Sequence, residues 1–245
     1  MIDCKTIEWE FESRFMKINI PIATYSFPNA EKTKKDLVSI VDHIENFYYR
    51  QKPDSITTAD GSTNLSSIVS HNFMHYNIFD FDDTNSVKLL EEFFWFCVSH
   101  YKTQILKTEE KNYYYQCWAN KMSHLDYVSD HQHTKNEIGS HLLSANYFLQ
   151  SAQQTSYTIY TPPSRLLNYK FKSWDESERP DQFGRYHMKN VEGDLTIFPA
   201  FVSHGTSAVR GSKQKRYTFG LDILEQQTEQ DLDIRRGCWR KKEIE

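Results

Sequence analysis

Two imidazoles one residue apart, His131-Gln132-His133, carry the sharpest chemical signal in the chain. On an extended strand residues i and i+2 project from one face, so both rings can converge on a single ion. The surrounding segment is hydrophilic throughout, and taken alone the pair also reads as a solvated polar turn. His204 adds a third ring. It closes the run Glu192-Gly193-Asp194-Leu195-Thr196-Ile197-Phe198-Pro199-Ala200-Phe201-Val202-Ser203-His204, in which a turn, a hydrophobic strand and a Pro-marked loop would carry an imidazole to the mouth of a barrel. Arg216 follows, and alternation in Arg216-Tyr217-Thr218-Phe219-Gly220-Leu221 puts Arg216, Thr218 and Gly220 on one face. A buried guanidinium requires an anion, either a carboxylate-bearing ligand held in a bidentate pair or a local Asp or Glu.

The other histidines carry less. His71 and His75 stand at i, i+4, but HNFMHYNIF reads as strand or turn and has no intervening Glu to act as a base. His43 and His100 fall within helical segments, solvated or packed, and no role is assigned to His124, His141 or His187.

The elements that must position these groups follow from periodicity. Leu37, Ile40, Val41, Ile44, Phe47 and Tyr48 form one stripe of an amphipathic helix over 36 to 48. Residues 50 to 66 read as a surface loop. Thr84 or Asn85 caps a second helix reaching about Ile105, with Val87, Leu90, Phe94, Cys97, Val98, Tyr101 and Ile105 on one side. From about residue 111 the pattern changes to the short alternating runs YYYQCWAN, LLSANYFL, SYTIYTPP, GDLTIFPAF and RYTFGLDIL. The expectation is a single α+β domain over 1 to 245: mainly helical support over 1 to 110, a jelly-roll core over 111 to 224, and a surface-wrapping tail over 225 to 245.

Composition narrows the function. With 38% hydrophobic and 15% aromatic residues the chain can build a core, and a net charge of −4 gives no general attraction to nucleic acid or anionic membranes. The longest apolar run, Phe93 to Val98, is far shorter than the roughly twenty residues of a spanning helix, and the opening residues do not read as a signal peptide. Four scattered cysteines with no C-x-x-C fit a reducing cytoplasm. There is no G-x-S-x-G elbow, Walker loop or dinucleotide fingerprint, and eight glycines leave few places for a phosphate cradle.

Trp118-Ala119-Asn120, His131-Gln132-His133, Ser144-Ala145-Asn146-Tyr147-Phe148-Leu149, Gly193 through Pro199 to His204, and Arg216 occur in an order that resembles the iron(II)- and 2-oxoglutarate-dependent oxygenases, in particular a short bacterial and phage subgroup. The match spans about residues 113 to 224. The resemblance implies a double-stranded β-helix in which His131, His133 and His204 hold Fe(II). It further implies that Arg216 and Thr218, with Tyr147 and Asn120, bind 2-oxoglutarate, and that a substrate C–H bond is hydroxylated with release of succinate and CO2. Two features depart from the pattern. The usual S-G-V-Y-Y is Ser144-Ala145-Asn146-Tyr147-Phe148 here, after a longer insertion, and the wider superfamily writes H-x-D where this chain has His133. Two imidazoles and a carboxylate leave a divalent ion at +1, whereas three neutral imidazoles leave it at +2. Asp130 and Asp126 are the local carboxylates able to compensate, and Asp130 points away from His131 on a regular strand.

The resemblance does not choose a substrate, since relatives act on protein side chains, nucleobases and free small molecules; a small molecule or protein side chain is the expectation, and the net acidity mildly disfavours duplex DNA. Tyr115, Trp118 and Phe198 are the aromatic residues expected to line its pocket, or else ordinary core. Two further readings stay open. One is a three-histidine cupin-like dioxygenase or isomerase that needs no 2-oxoglutarate. The other is a non-catalytic jelly-roll binding module with Arg235, Arg236, Arg240, Lys241 and Lys242 as its contact patch. Arg165, Arg179 and Arg185 are candidates for an anionic substrate or solvated charge.

Overall fold

The computed structural model describes residues 4–12, 17–51, 77–81, 84–109, 111–122, 126–133, 142–150, 157–162, 170–172, 181, 184–208, 215–225 and 239–243. The chain opens with a hairpin, β1 (Cys4–Glu12) and β2 (Lys17–Ser26), paired from Cys4 opposite Tyr25 to Glu12 opposite Lys17. Residues 1 to 110 thus hold a strand hairpin in addition to the expected helices. Ile20 and Ile22 on β2 bury toward one layer, and Ala23 and Tyr25 toward the other. An apolar stretch that must satisfy two packed faces at once becomes an interior strand.

Helix α1 (Ala30–Gln51) buries Leu37, Ile40, Val41 and Ile44, while the side chains of Phe47 and Tyr48 lie outside the described residues. Helix α2 (Asn85–His100) begins where Thr84 Oγ1 accepts from the Val87 amide at 3.3 Å, satisfying one of the orphan donors of the first turn. Its last turn widens into a π segment, Tyr101–Ile105. Ser86 donates to Asp36 at 2.7 Å and ties the two helices together.

The remaining strands are β3 (Tyr113–Met122), β4 (Leu143–Gln150), β5 (Tyr157–Thr161), β6 (Lys170–Lys172), β7 (Tyr186–Lys189), β8 (Asp194–Pro199), β9 (Ser203–Thr206), β10 (Arg216–Glu225) and β11 (Arg240–Lys242). Eight of these eleven strands form one sheet in the order β11-β3-β10-β4-β8-β2-β1-β6, and β7-β5-β9 form the other. The large sheet therefore draws on both ends of the chain, so neither residue 110 nor residue 224 divides it. The expected wrapping tail returns at β11 as an edge strand, with Arg240 opposite Tyr115.

Two apolar layers result. Helix residues such as Leu37, Leu90 and Phe94 pack with Tyr115, Cys117, Tyr147, Phe219 and Leu221 on one face of the large sheet. On its other face Ile7, Ile20, Ile22, Phe148 and Phe198 meet Tyr160, Tyr186, Met188 and Val202 around the small sheet. Strand parity decides which layer a residue joins. On β10, Tyr217, Phe219, Leu221 and Ile223 face the helices, so Arg216, Thr218, Gly220 and Asp222 face the space between the sheets.

Candidate metal centre

The segment carrying His131 is held against β9 by backbone bonds. His131 N donates to His204 O and His204 N to His131 O, each at 2.9 Å, and Thr206 N donates to Val128 O at 2.9 Å. This approach is possible because residue 205 is glycine: a Cβ there would lie 2.9 Å from the Val128 carbonyl oxygen and 3.2 Å from the Asp130 nitrogen. His133 N donates to Ala200 O at 3.1 Å, which anchors the next residue of the pair on the turn after β8.

These bonds bring the three rings together. His131 and His133, 73 and 71 positions before His204, have ring centroids 4.5 and 5.0 Å from its own. One ring nitrogen of each lies within 4.8 Å of the other two. The opposite nitrogens are all occupied: Nδ1 of His131 donates to Ser129 O at 2.8 Å, Nδ1 of His204 to Val202 O at 3.1 Å, and Nδ1 of His133 to Asp222 Oδ1 at 2.6 Å. Carbonyl and carboxylate oxygens only accept, so each Nδ1 carries a proton and the Nε2 side of each ring is the one able to ligate. The Nε2 atoms of His131 and His133 are 3.0 Å apart. A contact of that length is either an Nε2–H···Nε2 hydrogen bond with one ring doubly protonated or two lone pairs aimed at a shared cation. Two imidazoles at right angles on an ion about 2.1 Å away would stand about 3.0 Å apart, so the donor set fits a metal.

Burial disfavours the charged form of His204 and His131. His204 is held well below the usual imidazole range, first by desolvation and then by the neighbouring rings of His133 and His131. His131 is lowered for the same reasons, partly opposed by Ser129 O, Asp222 and Asp130. Trp118 stacks on His133 with centroids 5.8 Å apart, and Phe198 meets His204 edge-on at 4.7 Å.

Arg216 is 1% exposed at the start of β10. Its Nη2 donates to Thr206 Oγ1 at 2.8 Å and meets Met122 Sδ, and its Nη1 donates to Ser207 O at 3.2 Å. Desolvation lowers its pKa to about 10, against the field of Asp126, so it stays cationic at neutral pH. Thr218, two residues along the same face, accepts from Asn120 Nδ2 at 3.4 Å, and the two are opposite in register. Among the expected co-substrate contacts, Arg216, Thr218 and Asn120 thus share the face that looks between the sheets.

Tyr147 does not share it. Its ring packs on Phe27 at 6.0 Å and Phe219 at 6.2 Å in the helix-side layer, and Phe148 takes the inward position opposite Thr218. Tyr115 is likewise on the helix side, bonded to Glu91 and packed on Trp95 at 4.8 Å. Both corrections have one cause: a step of one or three residues along a strand reverses the face. Tyr160 takes the aromatic place expected of Tyr115, 6.3 Å from His204. Asp130 is held by Ser203 Oγ at 2.7 Å and Thr161 Oγ1 at 3.0 Å. The carboxylate bonded to the triad is Asp222, which the sequence reading passed over. Its signal was a charged residue inside the apolar run RYTFGLDIL, in phase with Arg216.

The described cations of the expected contact patch are engaged within the chain. Arg240 Nη1 donates to Phe79 O at 2.7 Å and lies 3.5 Å from Glu91, and Lys241 pairs with Glu243 at 2.8 Å. His43 is exposed on α1, His100 Nδ1 bonds Tyr25 Oη at 3.1 Å, and His187 meets Asp181, which also pairs with Arg185. His71, His75, His124, His141, Arg165, Arg179, Arg235 and Arg236 lie outside the described residues. Among the described residues, no helix is long and apolar enough to cross a membrane.

Residues 116–222 match a family model described as "Putative 2OG-Fe(II) oxygenase". Among solved structures, AviO1 from Streptomyces viridochromogenes is 12% identical, with 84% of this chain and 90% of that one covered and a TM-score of 0.51. A prolyl-4-hydroxylase from Pseudomonas putida is 11% identical over 58% of this chain and 67% of its own, with a TM-score of 0.40. An oxidoreductase of the 2OG-Fe(II) oxygenase family from Burkholderia pseudomallei is 11% identical with a TM-score of 0.37, and this chain spans about half its length, 51%. The comparison with curated proteins finds no match. The likeness to AviO1 shows a shared fold.

Proposed function

We propose that this chain, whose residues 116–222 match a family model of 2OG-Fe(II) oxygenases, is an iron(II)- and 2-oxoglutarate-dependent dioxygenase that hydroxylates a C–H bond and releases succinate and CO2. The observation that supports this best is the convergence of three imidazole nitrogens within 4.8 Å, each ring protonated on the far side. When bound, iron with its keto-acid co-substrate supplies the oxygen activation, chemistry that no side chain of this site can perform.

The chain's own residues have distinct tasks in this reading. His131, His133 and His204 hold the metal. Arg216 holds the distal carboxylate of 2-oxoglutarate: it is cationic, desolvated and already bonded to the neutral acceptors Thr206 and Ser207. Thr218 adds a hydroxyl oriented by Asn120. Trp118, Phe198 and Tyr160 keep water from the rings and confine the substrate. A small molecule or a protein side chain is the substrate class in this reading.

The test is anaerobic addition of Fe(II) and 2-oxoglutarate. The visible charge-transfer band of the keto-acid chelate is expected in the wild type and is expected to vanish in His204→Ala. Its absence from the wild type, or its persistence in the variant, overturns the proposal. The three-imidazole donor set also suits a dioxygenase that dispenses with the keto acid, and such an enzyme would consume oxygen without forming succinate. Succinate release during uncoupled turnover separates the two readings.

A further inference from the structure

We propose that Asp222 is the displaced carboxylate of this metal centre: a positioning residue that supplies through His133 the negative charge which an H-x-D triad would place on the metal directly. The inference rests on the iron-centre reading above and concerns how its charge is balanced.

The geometry is specific. Asp222 follows Arg216, Thr218 and Gly220 on the inward face of β10, and it is buried. One of its oxygens, Oδ1, accepts from His133 Nδ1 at 2.6 Å and from Ser144 Oγ at 2.8 Å. Ser144 is its neighbour in register on β4, and Gln116 its neighbour on β3. Gln116 is 3% exposed, and its amide nitrogen has no hydrogen-bond partner among the described residues. A row of hydroxyl, carboxylate and amide thus crosses the large sheet immediately behind the second ring of the H-x-H pair.

A carboxylate buried this way needs a compensating charge. The Nδ1–H of His133 already bonds this carboxylate, and a divalent ion on the far side of the same ring would add charge and fix the ring's tautomer. The balance works in the other direction as well. Three neutral imidazoles would leave a divalent ion at +2 in a desolvated pocket, and Asp222 one ring away brings the assembly to +1, the net charge of two imidazoles and a directly bound carboxylate. The position vacated at residue 133 is in this sense refilled from residue 222, through the imidazole.

Asp222→Asn isolates the charge, because the amide oxygen still accepts from His133 Nδ1. The experiment compares wild type, Asp222→Asn and Ser144→Ala by anaerobic Co(II) titration against a competing chelator and by mediator titration of the Fe(III)/Fe(II) couple. The expected result is Co(II) affinity weaker by about 10–100-fold in Asp222→Asn, the range typical for loss of a ligand-supporting carboxylate, with a more positive iron potential. Ser144→Ala, which removes one donor to the carboxylate but leaves the charge, should weaken Co(II) affinity by less and should not make the potential more positive. Unchanged affinity and potential in Asp222→Asn overturn the inference, as does an affinity loss with no change in potential, the mark of a merely structural role. A wild type that takes up no Co(II) overturns the metal reading itself, and this inference with it.

Discussion

Trp118 lies directly over Gly220: a Cβ at residue 220 would stand 2.5 Å from two carbons of the indole ring. The two residues face each other across β3 and β10, and the same indole stacks on His133. A backbone position on one strand therefore sets the plane of a candidate metal-binding ring on a distant loop.

Gly220→Ala should push the indole into His133. Overpacking of this kind costs about 1–3 kcal/mol, and both the thermal midpoint and the Co(II) affinity should fall. The double variant Gly220→Ala with Trp118→Leu should recover much of the stability, since the clash is removed with the ring. Additive losses in the two single variants and the double would show that the contact does not couple them.

Gly205→Ala acts on a different link, the close approach of β9 to the backbone at Val128 and Asp130. The expected outcome is a weakened pairing of His131 with His204 and reduced metal uptake, with little change at Arg216. Metal content and the 2-oxoglutarate KM, measured on one preparation, check this; intact metal affinity would sink it.

Arg216→Lys keeps the charge but loses the planar fork. Loss of bidentate recognition at a desolvated site should raise the 2-oxoglutarate KM by roughly ten-fold or more, while Co(II) affinity in the absence of keto acid stays near that of the wild type. Tyr147→Phe, on the helix side of the sheet, should leave the same KM unchanged. A large rise in KM for Tyr147→Phe would place that hydroxyl in the pocket after all.

The metal-free protein should lose stability in mild acid. Burial lowers the pKa of His204 and His131 below the ordinary 6.5, so below that pH the unfolded chain binds more protons than the folded one, and stability falls as pH falls. The contribution is fully present above pH 6.5 and is lost progressively as acidity approaches the lowered folded values. Thermal midpoints between about pH 7 and about pH 5 should decline in the wild type and decline less in His204→Ala. Equal slopes in the two proteins would show that His204 titrates normally.

Much of the site was legible in the residues. The H-x-H pair, His204 and the phase of Arg216 with Thr218 are local patterns, and period-two alternation translates them directly into a shared face. The runs from Tyr113, Leu143, Tyr157, Asp194 and Arg216 form strands for the same reason. The N-terminal hairpin was less visible. Ile20, Ile22, Ala23 and Tyr25 bury on opposite faces of β2, and burial on both sides erases the alternation that marks a strand.

The amino-acid sequence by itself determined which residues have metal-binding and anion-binding chemistry and which neighbours in the chain share a face, because those are properties of side-chain type and backbone period. Only the tertiary structure decided that Asp222, not Asp130 or Asp126, backs the second imidazole, and that Phe148, not Tyr147, looks between the sheets. Such choices depend on strand order, on register and on which face of the large sheet the helices cover. No local pattern encodes them, since they are set by the packing of segments distant in the chain, from β2 against β8 to β3 against β10.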